Sequence, residues 1–396
     1  MRLLFTGAAP WVNSGYGKPL RYLIPLLHQA GHQSAIATYY GYSGGVANIT
    51  IQGAPIRLYP PFKAPYFNDC IELHAADWRA DAVITLQDVW LLENWADKGF
   101  AWLPWLPIDC EQITPPVMKA LEGCEKPLPM SKHGEGLLRA AGWEDAQYVP
   151  FGVDLDVYRP MDRQAARKSA ALPDRFTVGM VAANSAFPSR KSFPEVLLAW
   201  RDWLALGNEG TLYIHTLLQP KYEQRRGLFF PALLDSLGLE WATMDDPDGT
   251  GEASVLFPSQ YRYWCGDFND LTLANLMNCF DVLFAPSQSE GFGIPILEAQ
   301  ACGVPVVTLN ITAMPEITFG GLCLEPLQRT WELQGGWRGL AGVDSLREAI
   351  EWSADVLCSP TGRLHYSERA WVGAERFGWQ KVVDEYWIPI LEGVTA

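Results

Sequence analysis

The chain has 396 residues, of which 48% are hydrophobic and 19% charged. At roughly 100–200 residues per domain this supports two or three buried cores and excludes disordered and fibrous classes. Lys and Arg number 30 against 45 Asp and Glu, a net charge of −15, which argues against broad adhesion to nucleic acid or anionic membrane and leaves only a local basic groove as a route to either.

The eight cysteines, at 70, 110, 124, 265, 279, 302, 323 and 358, include no C-x-x-C pair. Neither a disulfide scaffold nor a zinc ribbon is expected. The start, MRLLFTGAAPW, lacks a signal-peptide core, and no uncharged apolar run nears the ~20 residues of a membrane helix. A reduced, soluble, cytoplasmic protein without membrane insertion is expected. In that setting Asn48-Ile49-Thr50 and Asn310-Ile311-Thr312 read as chance matches to a glycosylation pattern.

In chain order, Arg2–Thr6 reads as a buried strand ending at Gly7. Leu20, Leu23, Ile24 and Leu27 then repeat at helical spacing over Pro19–Gln29. Strand candidates follow at Ser34–Tyr40, Ala82–Leu86, Trp102–Ile108 and Gln147–Val149. The pattern restarts with a strand at Phe176–Ala182, a helix at Phe193–Leu206 and a strand at Thr211–Thr216. A helix at Leu271–Phe280, strand Val282–Ala285, helix Pro295–Cys302 and strand Val304–Leu309 complete it, before a Trp-rich helical end. Strand–helix alternation of this kind implies parallel sheets with right-handed crossovers. The polar stretch Asp154–Arg175 lacks apolar periodicity and reads as the boundary. The expected domains are an α/β lobe at 1–155, a linker at 156–175, a second lobe at 176–365, and C-terminal helices at 366–396 packing back on the first lobe.

The most informative stretch runs from Pro286 to Val306, PSQSEGFGIPILEAQACGVPV. Gly291 and Gly293, flanking Phe292, allow a tight turn and close backbone approach to a ligand. Pro295 suits a first helical position, so the N–H groups of the helix start would face the loop and favour a phosphate or diphosphate. Glu298 would then sit in the first helical turn, in reach of a ribose, with Glu290 ahead of the loop. This string resembles the signature of GT-B glycosyltransferases of the family 4 type, with two glutamates separated by seven residues. Val149-Pro150-Phe151-Gly152-Val153-Asp154 with Tyr158-Arg159-Pro160 is similar to that family's interlobe motif, and Val178–Asn184 with Arg190-Lys191 to its second-lobe opening.

The resemblance implies a GT-B fold, two Rossmann-like doubly wound lobes facing a central cleft, and retaining transfer of a sugar from a nucleotide-diphosphate sugar to an acceptor hydroxyl. It implies that Arg190, Lys191, Gly291, Phe292 and Gly293 hold the donor diphosphate, that Asn184 also contacts the donor, that Glu298 holds the ribose, and that Glu290 orients the sugar or acceptor and stabilises developing positive charge. Gly15 and Gly17, in Ser14-Gly15-Tyr16-Gly17-Lys18, would form a further glycine loop touching the donor. As a dinucleotide fingerprint that loop fails: Leu20 stands where a third glycine belongs, and Ala35–Tyr40 offers no acid for a ribose. No cofactor or metal is required. Asp154-Leu155-Asp156 and Asp246-Pro247-Asp248 match a metal-binding D-x-D pattern but read as turns.

Three first-lobe polar residues follow strand ends, where α/β ligands bind. Asp88 stands where relatives commonly carry a histidine, and is a candidate for catalysis and acceptor contact. Asp109 is the better acceptor candidate, its alternative role being to cap the turn before Glu111. His133 reads as a helix-start residue. Most of the 17 tryptophans read as packing residues, though Trp11, Trp90, Trp105 and Trp264 near strand ends could stack on a sugar or base. The acceptor stays open among a saccharide, a small molecule and modified DNA, the last needing a groove lined by Lys18, Arg21, Lys132 and Arg139. Oligomeric state is not readable. The competing classes are a nucleotide-sugar epimerase or hydrolase of the same fold, a Rossmann dehydrogenase and a non-catalytic sugar-nucleotide binding module.

Overall fold

In the computed structural model, residues 1–93, 95, 98–219, 227–246 and 249–394 are described. Two compact units emerge. The first comprises Met1–Asp154, Trp331–Trp337 and Phe377–Ala396, and the second Leu155–Thr330 and Arg338–Arg376.

The first unit is built on β1 (Arg2–Ala8), β2 (Gln33–Tyr40), β3 (Ala47–Ile51), β4 (Ala54–Tyr59), β5 (Ala82–Leu86), β6 (Ala101–Leu106) and β7 (Leu128–Pro129). Among the described residues they form one sheet in the order β3-β4-β2-β1-β5-β6-β7. Every pair is parallel except β3 with β4. Helix-covered parallel strands are buried on both faces, which is why Leu3, Leu4, Phe5, Val83 and Ile84 form unbroken apolar runs with no exposed surface. Gln147–Val149, expected as a strand, is an extended segment that donates from Gln147 N to Pro127 O and from Val149 N to Pro129 O.

The C-terminal segment closes this core. Trp105 lies 4.8 Å from Phe151 and 4.9 Å from Trp387, ring to ring, and its Nε1 donates to Val149 O. A side chain at Gly152 would run into Trp379 at 2.4 Å, so only glycine fits there. The returning segment starts at Phe377 rather than 366.

The second unit carries β8 (Thr177–Val181), β9 (Thr211–His215), β10 (Trp241–Thr243), β11 (Val255–Phe257), β12 (Val282–Ala285), β13 (Val306–Leu309) and β14 (Gly321–Leu324). The described strands order as β10-β11-β9-β8-β12-β13-β14, all parallel. A separate two-stranded sheet, β15 (Gln328–Glu332) with β16 (Gly336–Leu340), stands outside both. No two cysteines form a disulfide, and no helix among the described residues is long and apolar enough to cross a membrane.

The stretch taken from sequence as a linker is partly helical: Asp162 caps Arg163–Ala170, accepting from Ala165 N. Its period was hidden because the buried side of this helix includes Arg167, 7% exposed. Arg167 donates to Asp281 at 2.7 Å and to Cys279 O at 3.0 Å, Arg163 pairs with the other Asp281 oxygen, and Thr177 N also donates to Asp281. Asp281 thus ties this helix to the start of β8. Removing one partner of a buried ion pair typically costs about 3–5 kcal/mol. Asp281→Ala is therefore expected to lower stability by about that much, read from the midpoint of the second unit's denaturant transition.

Candidate active site

The parallel sheets put their unfilled polar groups at the carboxyl ends of their strands. In the second unit the loop after β12 is fastened from three sides. Gln288 N donates to Arg190 O at 2.8 Å in the loop after β8, and Gly339 N on β16 donates to Gln288 O at 2.9 Å. Glu290 N donates to Thr312 Oγ1 at 3.1 Å, and that hydroxyl donates back to Glu290 O at 2.9 Å. Gly293 then takes φ of 106°, and a side chain there would meet Ile296 Cδ1 at 2.8 Å. Only glycine enters this helix without strain.

The side chain of Glu290 receives Lys191 Nζ, and Arg190 lies 3.7 Å from its other oxygen. Arg190 also donates to Ser289 O at 3.1 Å. Burial alone would push the Glu290 carboxyl up, but Lys191 and Arg190, with a hydrogen bond from Ser287, hold it down at about 2. Beside it the Ser289 hydroxyl is buried without a hydrogen-bond partner. The predicted Arg190, Lys191, Glu290 and glycine-loop residues are therefore brought together. They offer two cations, a fixed carboxylate and a helix start to an anionic ligand.

Two expectations need correction. The helix is Ile294–Ala301, so Pro295 is its second residue, and Glu298 lies in the second turn, 3% exposed, rather than in the first. Asn184 is engaged in structural work: its Nδ2 donates to Leu217 O and Leu228 O, and its Oδ1 accepts from Leu228 N. Of Asp246-Pro247-Asp248, Pro247 and Asp248 lie outside the described residues, while Asp246 accepts from Gly249 N as a turn residue does.

In the first unit Gly17 is required by packing, since a side chain would come within 2.6 Å of Ala9 O and Val12 O, whereas Gly15 sits exposed in the same turn. Between them Tyr16 donates to Asp88 at 3.2 Å. Burial, then Asp88, Tyr39 and Asp109, push the Tyr16 hydroxyl well up, so it stays protonated as a donor. Tyr39 packs edge-on against Tyr66 at 5.3 Å. His133 Nε2 is bonded to Cys110 O at 2.8 Å, at the start of helix Lys132–Ala140. The amide of Glu111, which Asp109 could have capped, instead donates to Trp337 O at 3.0 Å.

Sequence reasoning missed Thr312, Tyr16, Tyr39 and the β15–β16 hairpin. Thr312 follows a strand end, a position that alone marks ligand-side residues, but it was absorbed into a chance glycosylation match. Tyr16 lay in a glycine loop read for its glycines alone, and Tyr39 carried no motif.

Two doubly wound units with a glycine loop feeding a helix start define a GT-B protein. Residues 257–328 match the family described as Glycosyl transferases group 1. The D-inositol 3-phosphate glycosyltransferase of Mycobacterium tuberculosis strain H37Rv is 29% identical over 241 residues, covering 59% of this chain and 41% of that protein. The chain thus spans about two fifths of the length of the curated relatives it matches. Among solved structures, sucrose-phosphate synthase of Thermosynechococcus elongatus aligns over 99% of this chain and 98% of its own, with a TM-score of 0.72 at 17% identity. HepE of Anabaena, solved with UDP-glucose, aligns over 99% and 100% with a TM-score of 0.68 at 15% identity. The likeness to these solved structures gives the chain a GT-B fold.

The depressed Glu290 carboxyl makes a pH prediction. Its folded value of about 2 lies below the ordinary 4.5, so its contribution is complete above about pH 4.5 and is lost as pH falls toward 2. The difference corresponds to roughly 3 kcal/mol. In thermal melts the gap between wild type and Glu290→Gln should be widest near pH 6 and narrow steadily below pH 4.5. A gap that does not change with pH would remove the ion pair from the account.

Proposed function

We propose that this chain is a retaining glycosyltransferase, moving a sugar from a nucleotide-diphosphate sugar to an acceptor hydroxyl without a metal ion. The observation that carries the reading is the convergence of Lys191 and Arg190 on Glu290, in the loop that runs into helix Ile294–Ala301. A departing diphosphate needs cations and backbone dipoles positioned beforehand, and this loop supplies both. HepE was solved with UDP and with UDP-glucose, which supports a nucleotide-sugar donor, and the mycobacterial relatives are named for glycosyl transfer to a phosphorylated inositol.

In the free protein Glu290 neutralises the two cations. An incoming diphosphate competes for Lys191 and Arg190, releasing Glu290 to face the sugar. The bond from the sugar's C1 to the phosphate oxygen stretches, and Glu290 stabilises the positive charge that develops. The acceptor oxygen bonds to C1 from the same face, and its proton passes to the departing phosphate oxygen. Glu298 holds the ribose, with Gly291, Phe292 and Gly293 along the diphosphate. Asp88, held by Tyr16, and Asp109 orient the acceptor.

A saccharide or small molecule fits this acceptor role better than modified DNA. A recess of about 540 Å³ contains Lys126, Lys132 and Arg139, but also Glu135, Glu144, Asp145 and Glu385. Arg139 is engaged by Glu135 at 2.9 Å and by Ala146 O. Nothing there forms the uniformly basic groove that phosphates require.

Glu298→Ala is expected to weaken donor binding by about 2–3 kcal/mol, as for lost charge-assisted hydrogen bonds. Calorimetry on the folded variant against the best ligand of a nucleotide-sugar panel reads this directly. Unchanged affinity would remove Glu298 from the donor site. Transfer should also persist in EDTA; loss of activity restored by Mn²⁺ or Mg²⁺ would replace the metal-free mechanism.

A further inference from the structure

We propose that the carboxyl edge of the first unit's sheet, extended by the Trp331–Trp337 hairpin, is a binding surface for a neutral oligosaccharide, which as the acceptor deepens the glycosyltransferase reading and rests on it. In a parallel sheet all carboxyl ends lie along one edge, so the loops after β1, β5 and β6 share it. The first of these presents Trp11, 48% exposed, and the second Trp90, 41% exposed. The third runs from Asp109 to Gln112 and fastens the hairpin tip. Glu111 N donates to Trp337 O, Trp337 N donates to Gln112 Oε1 at 3.1 Å, and Gln112 Nε2 donates to Gly335 O at 3.3 Å. Gly336 presses on Cys110, where a side chain would come within 2.5 Å of Sγ.

The hairpin tip is thus held by its backbone and by glycine packing, and its indoles are not needed for anchorage. Trp331 and Trp337 nevertheless remain 56% and 43% exposed, edge to face at 4.8 Å. Exposed indoles have a flat apolar face and a polar N–H, which match the C–H face and hydroxyl rim of a sugar ring. Carboxylates on the same loops, at Asp88, Asp109 and Glu111, can each accept from neighbouring hydroxyls. An independent sign of a polar ligand is Gln87, 1% exposed at the end of β5. Its Oε1 accepts from Thr6, while its Nε2 has no partner. A buried donor of this kind calls for an acceptor that the protein does not supply, an ordered water or a ligand hydroxyl.

Charge selects among ligands. The carboxylates at these loops repel phosphates and sulfates. Separate indole platforms on three loops suit a chain of several rings rather than one monosaccharide.

The test uses the full chain, titrated with maltohexaose, cellohexaose and chitohexaose, with a heparin hexasaccharide and single-stranded dT12 as anionic comparisons. Binding is followed by saturation-transfer NMR and tryptophan fluorescence. At least one neutral hexasaccharide should bind and shift the fluorescence. Trp331→Ala and Trp337→Ala should each weaken it about fivefold or more, as expected on losing an aromatic platform. Trp331→Phe, which keeps an aromatic face, should stay within about twofold, and all variants should keep the wild-type thermal shift with UDP-glucose. Failure of all three neutral probes, equal binding by the alanine variants, or preference for an anionic probe would overturn the proposal. So would a lower sedimentation mass in the alanine variants, which would make the hairpin a self-association surface. Absence of any UDP-sugar thermal shift in the wild type would count against the donor reading alone, since saccharide binding is measured without donor.

Discussion

A carboxylate as little exposed as that of Glu290, with 15% of its side chain accessible, needs its charge compensated, and the way it is compensated organises the second unit's ligand side. Lys191 and Arg190 come from the loop after β8, Glu290 from the loop after β12, and Thr312 clamps the Glu290 backbone from the loop after β13. Three strand-end loops are therefore held in one arrangement by one charge balance and one hydroxyl. The arrangement is also replaceable. Each ion pair at this site has a side chain that keeps some access to water, and a diphosphate carries more negative charge than the carboxylate it would displace. The same contacts that hold these loops in place are made by charges that an anion would attract.

A second buried carboxylate shows the contrasting design. Asp281 is closed in by Arg163, Arg167 and the Thr177 amide, with Arg363 at 3.5 Å. It sits before β12, at the end of the strand away from the ligand loops, and its partners come from helices that pack the unit together. Burial and cationic partners alone do not distinguish a ligand site from a structural tie. Position along the parallel strand does: Asp281 precedes β12 and Glu290 follows it.

The glycine loop and its flanking charges were legible in sequence because their geometry constrains the backbone. Gly293 is forced by φ of 106°, the proline by the helix start, and the two glutamates by their spacing along the loop and helix. The elements β1, β2, β5, β8, β9, β12 and β13 were legible because doubly buried strands are continuous apolar runs. What could not be read falls into two groups. Short strands such as β7, β10 and β11 have two or three residues and leave no period to detect. Helix Arg163–Ala170 and the Tyr16–Asp88 contact depend on partners 72 to 118 residues away, so no local pattern encodes them. Glu298 was placed one turn too early because the pattern fixes the helix but not its first residue.

The first unit's edge departs from the second's although both sheets have the same central order, with one strand flanked by its successor and by a later crossover strand. One edge carries Arg190, Lys191 and a helix start. The other carries Tyr16, Tyr39, Tyr66, Asp88 and Asp109, with a hydroxyl kept protonated by burial and by its acidic neighbours. A cationic edge fits a ligand whose charge grows as a bond breaks. An edge of carboxylates and tyrosine hydroxyls fits a ligand rich in hydroxyls, since the carboxylates accept and the hydroxyls both donate and accept. Because both faces of each sheet are sealed by apolar packing, variation in ligand chemistry is confined to these loops. Two copies of one topology therefore carry ligand-side loops of opposite chemistry, and the residues that set them apart are few enough to exchange one at a time.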